Sequence, residues 1–128
     1  MTTEALLSAR FKTQPWKHQI REFEDAVTAA SRALLWQMRT GKSKMIVDTA
    51  CHLYDAGEID AVLVFAPNGV HENWVAREVP AHSWDGIDYR TRVWITDNVS
   101  ALSRKTATKA AKAQARDWWK RLESDIKE

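Results

Sequence analysis

One cysteine in 128 residues leaves no partner for a disulfide and no second thiol for a zinc site, so Cys51 is expected to pack as a small apolar side chain. The four histidines, His18, His52, His71 and His82, lack the close pairing that structural metal sites need, and no metal site built from protein ligands alone is expected. No apolar run approaches the roughly 20 residues of a membrane span. The opening Met1, Thr2, Thr3 and Glu4 has neither the basic nor the apolar region of a secretion signal. The expected setting is therefore the cytoplasm, with no membrane partner. A strong charge of either sign is also absent: 19 basic against 17 acidic residues give a net +2, which alone says little about partners. Its distribution says more. Through Ser100 there are 11 Lys and Arg against 13 Asp and Glu, whereas from Ala101 onward there are 8 against 4, so the tail is the basic part.

What is present describes an ordinary globular chain. Hydrophobic residues make up 45% and charged residues 28%, enough for one real core in a single domain or part of one. Trp16, Ile20, Phe23, Val27 and Ala30 recur at helical spacing behind Pro15, which predicts an amphipathic helix. The short apolar run 33–36 reads as a buried strand, and the next helix carries Ile46, Ala50, Leu53 and Tyr54 on one face with Gly57 as its stop. The run 61–66 reads as a second strand ended by Pro67, Asn68 and Gly69, then a helix over 70–79 with Trp74 inward, closed by Pro80. Residues 89–96 alternate as a third strand would. From about residue 103 to 128 an Ala- and Lys-rich helix is expected, with an apolar stripe at Ala111, Ala115, Trp118, Leu122 and Ile126 and a basic one at Lys105, Lys109, Lys112, Arg116 and Lys120. Alternating helices and strands of this kind imply an α/β layered fold with a parallel sheet.

The strongest chemical signal is Gln37-Met38-Arg39-Thr40-Gly41-Lys42-Ser43, set where an apolar run gives way to a helix. A turn there aims backbone N–H groups and a helix N-terminus at phosphate oxygens, Lys42 reaches the outer phosphates, and the Ser43 hydroxyl can ligate Mg²⁺. The full pattern would want glycine at position 36, where this chain has Trp36.

Three segments in order resemble helicase superfamily two, and especially its Swi/Snf-type branch. Pro15-Trp16-Lys17-His18-Gln19, within residues 14–30, is similar to the upstream glutamine motif. Residues 36–43 are similar to the nucleotide-binding loop, with Arg39 where many members have glycine, a look shared with short members encoded by bacterial viruses. Residues 62–74 resemble motif Ia. The resemblance implies a truncated RecA-like three-layer sandwich and an ATP-binding part of a DNA helicase or translocase, in a host cytoplasm if viral. It gives Gln19 the reading of adenine and Arg39, Thr40, Gly41, Lys42 and Ser43 the phosphates, with Ser43 on Mg²⁺. Pro67, Asn68 and Gly69 would face nucleic acid, DNA sooner than RNA. It also implies a second helicase lobe as a partner.

No Asp-Glu pair follows an apolar run, and Asp97 is followed by Asn98, so no catalytic residue is assigned and ATP hydrolysis by this chain is not expected. The sequence is expected to end before that motif, and an unpaired edge at residues 33–36 would then invite self-association. Two other readings stand beside this one: a non-catalytic nucleotide- or nucleic-acid-binding regulatory module, and a small P-loop kinase.

Overall fold

The computed structural model describes residues 4–67, 69–93 and 108–127. The chain forms two compact units, Met1–Asp88 and Tyr89–Glu128.

In the first unit α1 (Glu4–Ser8) precedes α2 (Lys17–Ala26), and α3 (Lys42–Asp55) follows the loop that starts at Trp36. Then come α4 (His71–Asn73), a π turn (Trp74–Glu78) and α5 (Val79–His82). The amphipathic pattern behind Pro15 does fold as a helix, with Gln19, Phe23 and Ala26 buried at the spacing of one helix face. Gly57 ends α3 as expected. It adopts φ 74°, while its N–H bonds Tyr54 O at 3.0 Å and the Glu58 N–H bonds Leu53 O at 2.8 Å, the paired bonds of a Schellman cap. Pro80 does not close its helix. The π turn directly before it carries a Val79 N–H to Trp74 O bond, and that wider turn accommodates a ring that would clash in regular α geometry.

The expected parallel sheet is contradicted. Among the described residues there is no strand, so the α/β RecA-like sandwich does not describe this structure, whose regular elements are all helical. The apolar runs explain the error. Exposure alternates along 33–37, with Leu34 and Trp36 packed against the core and Leu35 93% exposed, and similarly Leu63 and Phe65 stand 71% and 89% exposed. The first run has the side-chain alternation of a strand, whereas 61–65 are exposed throughout; a sheet also needs neighbours that accept and donate along the backbone, and no such ladder forms here. Tyr89 to Val93 are likewise irregular, and residues 94–96 of the third expected strand lie outside the described residues.

The core gathers Phe23 and Ala26 from α2, Met45, Val47 and Cys51 from α3, and Trp84 from the loop after α5. Cys51 is buried, as its reading as a small apolar residue required. Phe11 meets Phe23 edge-on at 5.1 Å and Trp84 at 5.9 Å, geometries that favour aromatic pairs. The inward face of α3 is not the expected one. Ile46 and Tyr54 are exposed, and the buried face includes Lys44 and Asp48. Those two charges enter the core because they neutralise each other, with Lys44 Nζ 2.5 Å from Asp48 Oδ2, while the Trp84 indole N–H donates to Asp48 Oδ1 at 2.9 Å.

The second unit contains α6 (Lys109–Lys127), shorter at its start than expected. Thr108 Oγ1 accepts the Ala111 N–H at 3.2 Å at its N-terminus. Ala111, Ala115, Trp118 and Leu122 are less exposed, as the periodicity predicts, and Lys109, Arg116 and Lys120 are exposed, while Lys112 is half-buried like Ala111. Lys105 and the side chain of Ile126 lie outside the described residues. No helix among the described residues is long and apolar enough to cross a membrane.

Candidate phosphate-binding loop

Residues 37–41 form a loop between the apolar run and α3, which opens with Lys42 and Ser43. Two residues in it take left-handed backbone conformations, Arg39 at φ 61° and Gly41 at φ 80°. Only glycine adopts that region freely; for other L-residues it costs on the order of 1–2 kcal/mol. Arg39 is therefore strained where it stands, at a position that suits glycine better. Gly41 is held to glycine twice over, because a Cβ there would also lie 2.1 Å from Gln19 Nε2.

The loop's carbonyls are gathered inward by cations and amides. Lys42 Nζ donates to Trp36 O at 2.9 Å and Gln37 O at 2.8 Å, and Thr40 Oγ1 adds a bond to Gln37 O at 2.7 Å. From α2, a His18 ring nitrogen lies 3.1 Å from Thr40 O, and Gln19 Nε2 shares longer contacts of 3.4 Å with Thr40 O and Gly41 O. A trans peptide points its C=O and the following N–H in opposite directions. Carbonyls drawn inward therefore turn the amides of Gln37, Met38 and Gly41 outward, while Gly41 O accepts the Met45 N–H of α3 at 3.2 Å. The first amides of α3 have no intrahelical acceptor, no side chain caps this end, and no acidic residue occupies its first turn. The N-terminus of α3 therefore carries the positive end of its helix dipole with no carboxylate beside it.

The sequence-assigned residues Gln19, Arg39, Thr40, Gly41, Lys42 and Ser43 therefore come together. Gln19 is buried, and its Oε1 accepts the Trp16 N–H at 2.8 Å, half of a capping box that Trp16 has no side-chain oxygen to complete. The Ser43 hydroxyl has no hydrogen-bond partner among the described residues. The described residues contain no group of three or more His, Cys, Asp or Glu side chains that could hold a metal ion.

Pro67 and Gly69 make a separate turn. Gly69 has φ 86°, and the Val70 N–H bonds Pro67 O at 3.0 Å. No hydrogen bond among the described residues links this turn to the phosphate loop, and Asn68 lies outside them. Asp97, the nearest acidic candidate for catalysis, lies outside them too.

Sequence reasoning missed His18 and Trp36 as site residues. His18 grips the loop, and its ring meets Trp36 edge-on at 4.9 Å. Both border an open groove of about 340 Å³ lined by Lys17, His18, Arg21, Glu22 and Trp36. Glu22 is already paired with Arg32 at 2.8 and 2.9 Å, so Lys17 and Arg21 set the groove's charge. The available signal was the displaced glycine of the loop pattern, since a tryptophan at position 36 puts an aromatic face where a small residue would leave none.

No protein-family model, curated protein or solved structure matches this chain.

Proposed function

We propose that this chain is the ATP-binding portion of a nucleic-acid-dependent ATPase of the helicase or translocase kind, with residues 37–43 as its phosphate site. The observation that supports the reading best is the joint engagement of the loop: Lys42 closes it from within while His18 and Gln19 grip it from α2. A lysine after glycine at an innocent helix start has no need of such a frame. The motor assignment rests on the order of the three sequence segments, and the role of Pro67, Asn68 and Gly69 in contacting DNA rests on the same resemblance.

A bound triphosphate would take the outward amides and the α3 N-terminus, Lys42 would neutralise its outer phosphates, and Ser43 would share Mg²⁺ with them. Mg²⁺ supplies charge neutralisation between the phosphates. Binding is separable from turnover in this chain, because the sequence contains no Asp-Glu pair to position water at the γ phosphate.

Titration with a fluorescent ATP analogue in Mg²⁺ tests the site. Lys42→Ala is expected to weaken binding by about 100-fold, in line with the loss of a charge-assisted contact, while the circular dichroism of the helices stays unchanged. Equal affinity in parent and variant would remove the loop from consideration. A phosphate-release assay tests turnover, and Lys42-dependent hydrolysis near one per second, an ordinary enzymatic rate, would overturn the separation.

A further inference from the structure

Resemblance makes Gln19 a reader of adenine, but its amide is already committed. A glutamine side chain offers one carbonyl oxygen and two N–H donors. Here the oxygen holds the Trp16 N–H at the start of α2, and the NH₂ group faces Thr40 O and Gly41 O. The residue is 5% exposed. To present a paired donor and acceptor to a purine edge, it would have to leave the core and release both the helix start and the loop.

We propose that Gln19 is a positioning residue of the phosphate loop, and that the site selects its ligand by the polyphosphate and not by the base, accepting ATP and GTP alike. This deepens the nucleotide-binding reading above and rests on it. The geometry gives Gln19 a definite task. By drawing Thr40 O toward α2 it turns the Gly41 amide the opposite way, to the mouth of the loop, while Gly41 O is also held by the Met45 N–H of α3 at 3.2 Å. Nε2 fills the space that only a glycine at position 41 leaves open. His18 repeats the grip on Thr40 O from the preceding residue. Base recognition would leave these contacts unmade, whereas anion binding uses their consequence.

Two variants separate the roles of the two ends of the amide. Gln19→Ala removes both. Gln19→Glu is close in shape and keeps an acceptor for the Trp16 N–H, but sets an oxygen against two loop carbonyls, so it spares the helix cap and breaks the loop grip. The experiment is competition by Mg²⁺-ATP, Mg²⁺-GTP and inorganic tripolyphosphate against a fluorescent ATP analogue, on the full chain. The parent is expected to bind ATP and GTP within about threefold of each other, and both variants to weaken all three ligands in parallel by about tenfold. A parent preference for ATP above about tenfold that disappears in Gln19→Ala would overturn the proposal in favour of base reading. Amide hydrogen exchange over residues 39–43, measured without ligand, supplies the independent arm. Faster exchange in Gln19→Glu at unchanged melting temperature is expected, and unchanged exchange overturns the positioning role. A parent that binds none of the three ligands ends the nucleotide reading and with it the base-indifference claim, while the exchange result still decides whether Gln19 positions the loop.

Discussion

Two stretches of this chain follow one recipe and end differently. Residues 33–43 and 61–71 each run from an apolar segment through a left-handed glycine into a helix, at Gly41 before α3 and at Gly69 before α4. In the first, α2 reaches over and grips the turn through His18 and Gln19, and Lys42 closes it from inside. In the second, the Val70 N–H to Pro67 O bond is the local closure, and a Cβ at Gly69 would meet no atom within 4 Å. The difference is tertiary. Local sequence makes a turn, but a binding concavity needs a second element to fix which way the peptide planes face.

The comparison can be broken most severely at its foundation. Asp48→Ala would strand Lys44 in the core without its partner and remove the acceptor of the Trp84 indole, and the expected destabilisation is about 3–5 kcal/mol, the range for breaking a buried pair. Chemical denaturation checks it, and a loss under about 1 kcal/mol would mean the pair is solvated. The two glycines come next. Gly41→Ala combines left-handed strain with a collision against Gln19 and should cost about 2–3 kcal/mol together with nucleotide affinity, whereas Gly69→Ala should cost the backbone strain alone, about 1 kcal/mol. Equal losses at the two positions would erase the distinction between the turns. Arg39→Gly is expected to act in the other direction, stabilising by about 1 kcal/mol through relief of the φ 61° conformation, partly offset by glycine's greater freedom when unfolded. The smallest effect is expected at Phe65→Ser, within about 0.5 kcal/mol, because the ring is almost wholly exposed. A melting-temperature drop of many degrees there would show that the second apolar run has a cover in solution.

The glycine at the head of α3, the start of α2 and the stop of α3 were legible because each rests on local chemistry: a left-handed position, a helix period, a cap. Gln19 was singled out through its motif, while its amide faces Trp16, Thr40 and Gly41 of the protein itself. The strands were not, because an apolar run reports only that side chains avoid water and says nothing of a neighbouring backbone. The inward face of α3 was hidden for a related reason. Hydrophobicity places Ile46 inside, while Lys44 and Asp48 enter the core through mutual neutralisation and a hydrogen bond from Trp84, a residue 36 positions away. No periodicity announces a contact of that kind.

The lysine of the loop carries one further consequence. Its ammonium already holds two carbonyl oxygens that belong to the same turn. Under the proposed function, arrival of an anion would be an exchange of partners, the positive charge leaving one set of oxygens for another, and departure would be the reverse exchange. A loop built this way has its own understudy for the ligand. It would keep its shape with no ligand bound, and the contest between internal and incoming oxygens would limit how tightly any occupant is retained.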